Sequence, residues 1–310
     1  MSPSLSVVIP LYNKEKFILR AIESIKAQTL KVKEIIVVDD GSNDIGASLV
    51  KQYHPDVTLI QQSNQGVSVA RNTGIDAATS HHVAFLDADD YWLPRFVENI
   101  TLLIESSPNA VMYCTHYAFN TGTEVRPALM RAIPKLGGTI NDLFASCLNA
   151  DLPITASSVC IKRSKLKEVG GFPVGMKMGE DQVVWAKIAC LGKVMYAPEV
   201  CVHYDLSIEG SACDINKVYE PAPQLSVYQD MLDQGQVPEN LQESLKRLMH
   251  YTVLSCVKNN LLAGQRLEAR HLLLNHPCLI YDRYRIGALI ASCLPVGLFN
   301  LFLRLVRGNR

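Results

Sequence analysis

The sequence predicts an α/β protein with a mostly parallel sheet and a mainly helical C-terminal extension. Three observations point there. Short apolar runs alternate with helix-periodic segments through roughly the first 90 residues, polar residues gather directly after each apolar run, and the periodicity becomes wholly helical beyond Ser207.

Leu5 to Pro10 is the first apolar run, and beyond it Phe17, Ile18, Ala21, Ile22 and Ile25 recur at helical spacing until Gln28 and Thr29. Ile35 to Val38 is apolar at every position, as in a strand covered on both faces, and stops at Asp39 and Asp40 before Gly41 and Ser42. A helix is expected from about Asp44 to Tyr53, a third strand at Val57 to Ile60, a helix at Val67 to Ala78 and a fourth strand at Val83 to Leu86. Beyond Pro94 the pattern predicts a helix to Glu105 and a strand around Val111 to Tyr117. Another strand, Ser157 to Ile161, leads to Gly170, Gly171 and Phe172; a helix opens near Glu180 and Asp181, and strand-like segments cover Val194 to Ala197 and Val200 to Tyr204. A linker with Gly210, Pro221 and Pro223 then precedes helical patterns from about Leu225 to Leu262 and from Leu267 to Leu274.

The tail has a different character. Ile286 to Leu303 is 18 residues without a charge, bracketed by Arg283 and Arg285 before and Arg304, Arg307 and Arg310 after. Pro295, Gly297 and Asn300 interrupt it, which favours a helix pair lying in the interface of an anionic bilayer over a membrane span; a core helix of the C-terminal region is the alternative. The expected organisation is a catalytic domain over 1–207, a helical extension over 208–280 and the tail over 281–310.

Of the 310 residues, 48% are hydrophobic and 19% charged, material for a sizeable core, and 30 basic residues balance 30 acidic ones, so no global field draws the protein to nucleic acid. The nine cysteines are scattered without a C-x-x-C pair, and Met1 to Ser6 is too short and polar for a signal segment, so a reduced, cytoplasmic chain is expected.

Alternating β and α segments with short connections place the ligand site off the carboxyl ends of the strands. Pro10, Tyr12 and Asn13 follow the first strand, Asp39 and Asp40 the second, Asn64 and Gln65 the third, and Asp87, Asp89 and Asp90 the fourth. Clustered carboxylates repel one another unless a cation relieves them, and hard oxygen donors suit Mg²⁺ or Mn²⁺ with a diphosphate as co-ligand. Helix capping is the alternative use of the Asp87–Asp90 cluster, and an Asx turn that of Asp39 and Asp40. At a strand end either of the latter pair could accept from a uracil imide or ribose hydroxyls, with the Tyr12 ring as a stacking face. Arg71 falls on the helix after the third strand, to pair with an aspartate or to assist a phosphate. Asp181 opens a helix whose Val184, Trp185 and Ile188 mark the buried face. A carboxylate so fixed could take the proton of an acceptor hydroxyl, or merely complement the helix dipole, while Glu180 orients or contacts the acceptor.

The segments V-V-I-P-L-Y-N, I-I-V-V-D-D-G-S, N-Q-G-V-S-V-A-R-N-T-G, F-L-D-A-D-D and G-E-D-Q-V-V-W, in this order over roughly Ser4 to Tyr204, resemble the inverting family-2 glycosyltransferases of bacterial surface-polysaccharide type. The resemblance implies a GT-A, Rossmann-like nucleotide-diphospho-sugar transferase fold. It also implies that Tyr12 and Asp40 contact the nucleobase, Asp87 the ribose, Asp89 a Mn²⁺ or Mg²⁺ bridging the diphosphate, and that Asp181 is the general base. Pro10, Asn13, Asp39, Asn64 and Arg71 would complete the donor site. His203 lies where some relatives place a histidine or arginine near the diphosphate and metal, although a histidine ending a strand is also a common structural element. No Q-x-x-R-W segment of the processive synthases follows Asp181, so transfer of one sugar per encounter is expected. The implied donor is a nucleotide sugar, a UDP-sugar, and the basic residues flanking the apolar tail point to a glycan or lipid-linked acceptor reached by peripheral contact from the cytoplasmic face of the membrane. The competing readings are a sugar nucleotidyltransferase, against which stands Pro10-Leu11-Tyr12-Asn13 where a G-x-G-x-R-like loop would be needed, and a catalytically silent glycan-binding or scaffold protein.

Overall fold

A computed structural model describes residues 4–148, 150–176, 178–207, 223–275, 283–295 and 297–299. The chain divides into two compact units, Met1–Ser211 and Ala212–Arg310. In the first, β1 (Leu5–Leu11), α1 (Ile18–Lys26), β2 (Glu34–Asp39), α2 (Gly46–Tyr53), β3 (Thr58–Gln61), α3 (Val67–Ala77) and β4 (His82–Phe85) alternate as the apolar runs predict. Next come β5 (Tyr91–Trp92), α4 (Phe96–Ser106), β6 (Met112–Asn120), β7 (Val125–Pro127), β8 (Gly138–Ile140) and α5 (Leu143–Ser146). A 3₁₀ turn at Ala156–Ser158 leads to β9 (Val159–Lys162), α6 (Arg163–Glu168), α7 (Glu180–Ala189) and β10 (Val194–Asp205).

All these strands join one sheet in the order β3-β2-β1-β4-β9-β6-β10-β5, with β7 on β6 and β8 on β10. The β1–β2, β1–β4 and β2–β3 pairs are parallel, as is β6–β10, but β9 runs antiparallel to both β4 and β6. The sheet is therefore mixed, not mostly parallel as expected. The second half of the chain enters it through β9, which reaches the sheet after irregular segments and without a helical crossover. Because β9 inverts the direction twice, β6 and β10 point the same way as β1, β2 and β4, and the carboxyl ends of all five share one rim.

The sheet is covered on both faces, which explains its uniformly apolar strands. Val7 and Ile9 of β1 pack with Ile18 and Ile22 of α1 and Phe96 and Ile100 of α4; Val8 faces the other way, toward Ala70 and Ile75 of α3 and Val184, Trp185 and Ile188 of α7. At the crossing of α3 and β1 there is no room for a side chain: a Cβ added at Gly74 would lie 2.3 Å from Val8 Cγ1. Gly74→Val should cost about 1–3 kcal/mol by overpacking. A lowered urea midpoint would show it; an unchanged one would contradict this close contact.

The expected strands at 194–197 and 200–204 are one strand, β10, whose register against β6 shifts between Ala197 and Val200 and again before Val202. Pro198 has no N–H to offer the ladder, so the chain bulges there and resumes pairing instead of ending. The second unit contains α8 (Gln224–Asp233), α9 (Glu239–Leu262), α10 (Arg266–Asn275) and α11 (Arg283–Cys293). The helical pattern expected from Leu225 to Leu262 is broken in two, since Gly235 adopts φ 66° and Pro238 precedes α9. Arg266 and Arg270 donate to the Ser292 carbonyl, tying α10 to the end of α11. Among the described residues no helix is long and apolar enough to cross a membrane. The linker at 208–222 and the tail beyond 299 lie outside the described residues.

Candidate active site

The rim gathers the loops after β1, β2, β3 and β4 with the ends of β6 and β10. The β1 and β2 loops are fastened together: the Ser42 hydroxyl accepts from the Asn13 amide at 3.0 Å, and Asn13 Oδ1 accepts from the Asn43 amide at 2.8 Å. Asn13 adopts φ 52° to do this, a left-handed conformation that asparagine tolerates better than most residues. Pro10 sits opposite Val38 in the parallel ladder, and Tyr12, directly after β1, is 45% exposed as a residue. A flat aromatic face is thus open to a base.

Asp39 and Asp40 are both buried. Asp39 accepts from the Ser42 amide and from Gln61 Nε2, each at 3.1 Å. Asp40 accepts from Gln62 Nε2 and from the Gln65 and Gly66 amides at 2.7–3.0 Å, so it holds the loop that carries Asn64. Of the readings expected for the pair, the turn bond is present at Asp39, from the Ser42 amide. Gly41 completes the junction: at φ +74° a Cβ would come within 2.8 Å of the Asn64 amide nitrogen. The Asn64 side chain is exposed on this loop.

At the end of β4 each acid is compensated differently. Asp87 Oδ1 accepts from Arg71 at 2.8 Å, and the Asp87 amide donates to Ser157 Oγ. Asp90 is buried, accepts from Ser157 Oγ and from the Asp205 amide, and burial together with Asp87 and Asp89 pushes its carboxyl well above the ordinary range. Asp89 pairs through Oδ2 with Lys14 Nζ at 2.7 Å, and its carbonyl accepts from Arg20. β5, too short for any periodicity, sets Tyr91 against His203 in an antiparallel pair. The Tyr91 hydroxyl lies 2.7 Å from His203 Nδ1, which leaves Nε2 for another partner. Burial lowers the His203 pKa, so the neutral ring that a metal requires is favoured.

Arg71 joins this cluster to α7. Its guanidinium is buried, bonds Asp87 and Glu180 at 2.8 Å each, and lies 5.1 Å from the Phe172 ring. Burial opposes its charge, yet Asp87, Glu180 and Asp181 hold its pKa above the ordinary arginine value. The neighbouring Asn72 grips the Phe172 backbone at both N–H and C=O, each at 2.8 Å, and a Cβ at Gly171 would strike Asn72 Oδ1 at 2.4 Å. The segment leading to α7 is thereby fixed on α3. Gly179 turns the chain at φ 79° into the helix. Asp181, one residue beyond Glu180, is pushed up to about 6, by burial first and by the Glu180 charge second, with Arg71 drawing it down. A carboxyl so poised is suited to take a proton near neutral pH.

The model of the family Glycosyl transferase family 2 matches residues 6–169. The chain belongs to this family. A 207-residue stretch is 33% identical to the uncharacterized glycosyltransferase alr2836 of Nostoc sp. (strain PCC 7120 / SAG 25.82 / UTEX 2576), covering 64% of each chain. A 105-residue stretch is 45% identical to the uncharacterized glycosyltransferase YibD of Escherichia coli (strain K12), covering 33% of this chain and 30% of that one. The matched parts thus span less than two thirds of these relatives. Among solved structures, S. aureus TarS 1-349 in complex with UDP-GlcNAc superposes with a TM-score of 0.67 at 16% identity, over 93% of this chain and 90% of that one. The mannosyltransferase PcManGT from Pyrobaculum calidifontis in complex with GDP-Man and Mn2+ gives 0.58 at 19% identity, over 97% and 88%. The fold is the GT-A fold, as expected from the motifs.

Several residues that bond within this cluster were not singled out as site residues from the sequence: Lys14, Arg20, Tyr91, Ser157 and Asp205. Arg20 reaches Asp205 Oδ2 at 2.8 Å across the sheet. Nothing local in the sequence marks such partners, because their meaning comes from strands separated by a hundred residues.

Whether a divalent ion fits can be asked of the donors themselves. Among the described residues no three His, Cys, Asp or Glu side chains form a metal-binding group. Asp89 supplies a hard carboxylate, partly exposed and paired with Lys14, and His203 Nε2 supplies a nitrogen. Mg²⁺ and Mn²⁺ are commonly held by one or two protein ligands with phosphate and water, so the donors fit an ion that arrives with a diphosphate.

Proposed function

We propose that this enzyme is a metal-dependent, inverting glycosyltransferase that moves one sugar from a UDP-sugar to a glycan or lipid-linked acceptor. The observation that carries the reading is the placement of Asp181, poised to accept a proton, on a helix joined through Glu180 and Arg71 to the donor-side carboxylate Asp87. In this reading Tyr12 stacks on the base, while Asp40 and Asp39 shape its pocket with Pro10, Asn13 and Asn64. Asp87 meets the ribose. Asp89, with His203, would hold Mn²⁺ or Mg²⁺, whose chemistry is to neutralise charge on the departing diphosphate.

Asp181 removes the acceptor hydroxyl's proton as the oxygen attacks the anomeric carbon. The bond to the diphosphate breaks on the opposite face, so the anomeric configuration inverts. Glu180, tied to Arg71, stands next to Asp181 in the chain, and its charge raises the basicity of the Asp181 carboxylate. Support for a nucleotide-sugar donor comes from the fold shared with TarS, named as a UDP-GlcNAc complex, and PcManGT, named as a GDP-Man and Mn2+ complex. The arginines that bracket the apolar tail support a peripheral position on the cytoplasmic face of a membrane, near a lipid-linked acceptor.

Asp89→Ala should abolish the Mn²⁺-dependent part of UDP affinity, because the variant lacks the carboxylate that anchors the ion beside the diphosphate. Calorimetry of UDP with and without Mn²⁺ reads this directly. A variant that retains the full Mn²⁺ enhancement would remove Asp89 from the metal site.

A further inference from the structure

The three acids after β4 differ in what balances them. Asp87 has the buried Arg71, and Asp90 has Ser157 and the Asp205 amide. Asp89 has Lys14, whose side chain and partner are each 27% exposed. A second cation, Arg20, stands close by but is committed: it bonds Asp205 Oδ2 and the Asp89 carbonyl, and its guanidinium lies 4.6 Å from the centre of the Tyr91 ring. Lys14 has a single ion pair and a four-carbon stem. Its backbone, in contrast, is anchored on every side. Asn13 is bonded to Ser42 and Asn43, Glu15 to Asp44 and Ile45, and the Lys14 carbonyl accepts the first amides of α1, from Phe17 and Ile18. Any rearrangement at this point is a rotation of the lysine side chain alone.

An ammonium held at Asp89 Oδ2 repels a divalent ion from the same carboxylate and is itself well suited to bind phosphate as a point charge. A lysine there opposes the ion while the site holds no donor, and favours the diphosphate once it arrives. We propose that Lys14 is an exchangeable counter-cation: it neutralises Asp89 before donor binding, then releases that carboxylate and pairs with the donor diphosphate, so that ion and nucleotide sugar enter together and not ion first. This rests on the reading of Asp89 as the metal-holding residue. The charge balance is kept at each stage, since a diphosphate and an ion replace one ion pair with two.

The test measures Mn²⁺ binding by the EPR signal of the free ion, and UDP and uridine affinities by calorimetry in the presence of Mn²⁺. The proteins are the wild type, Lys14→Met, Lys14→Arg and Asp89→Ala, each first shown to melt as a folded protein. Lys14→Met should bind Mn²⁺ alone about tenfold more tightly than the wild type, a change of about 1.4 kcal/mol, and should bind UDP about tenfold more weakly with uridine unaffected. Lys14→Arg, which keeps the charge, should follow the wild type in both. Unchanged Mn²⁺ affinity in Lys14→Met, or equal losses of UDP and uridine binding, would overturn the exchange while loss in Asp89→Ala of the Mn²⁺ bound in the presence of UDP upheld the metal site. Mn²⁺ binding in the presence of UDP that is equal in Asp89→Ala and the wild type would overturn both.

Discussion

Asp181→Asn should lower turnover by about 10²–10⁴ and leave the affinity for UDP nearly unchanged. The amide keeps the shape of the carboxylate and its bond from the Gln182 amide, which is 2.7 Å long, but accepts no proton. In the wild type, turnover should fall as pH drops through about 6, where Asp181 takes up its proton, and the variant should lose that acid limb. Stability gives an independent reading. A carboxyl with a folded value of about 6 and an ordinary value of 3.8 binds its proton more tightly in the folded state, so its contribution is most favourable below pH 3.8 and is lost as pH rises through 6. At pH 8 the ionised group is a net cost, and Asp181→Asn should melt higher there, by up to about 1–3 kcal/mol, with the difference fading near pH 4. A residue that served only the helix dipole would behave in the opposite way, with stability falling and turnover preserved. Turnover near that of the wild type would exclude Asp181 from the chemistry.

Arg71→Met should be the most destabilising change at the site. Removal of the guanidinium leaves Asp87 and Glu180 facing each other without a cation, and breaking a buried pair of this kind costs about 3–5 kcal/mol. The effect should reach function as well, since Asp87 is then free to leave the ribose position and the start of α7 loses its tie to α3. A second substitution separates the causes: Glu180→Gln added to Arg71→Met removes one unpaired charge and should recover part of the stability without restoring UDP binding. Urea denaturation and UDP calorimetry on the same proteins measure both. If Arg71→Met unfolds at the wild-type midpoint, the bridge is not a structural element of the site.

The first half of the fold was legible because β1, β2 and β4 are buried on both faces and so carry uninterrupted apolar runs, while α1 and α3 carry clear helical spacing. The strand ends then fell on one rim by topology alone, which is why Asp39, Asp40, Asp87 and Asp89 could be placed together. Elsewhere that logic weakens. β5, β7 and β8 are two or three residues long, too short for a period to show, and their pairing is set by partners distant in sequence. The reversal at β9 has no local signature, so a mixed sheet was read as mostly parallel. Pro198 made one strand look like two, and Gly235 with Pro238 divided what read as a single helical stretch.

At the site, residue types pointed to chemistry but not to geometry. Arg71 and Glu180 stand 109 positions apart, and only the folded chain shows one guanidinium serving both sides of the site. Lys14 carried no reading from the sequence, and Ser157 read as the start of a strand. Asp40 was read as a base contact or a turn residue, and its three bonds to the 62–66 loop reach a segment distant in sequence that neither reading specified.

The most direct test of the account is the anomeric configuration of the product. Wild-type enzyme is incubated with Mn²⁺ and an α-linked UDP-sugar that binds it, with water or a simple alcohol as acceptor, and early product is followed by ¹H NMR before mutarotation. With Asp181 as a base acting opposite the leaving diphosphate, the first sugar signal to appear should be the β-anomer, and it should be lost in Asp181→Asn. An α-anomer formed first, or β-product formed at an undiminished rate by the variant, would contradict the account.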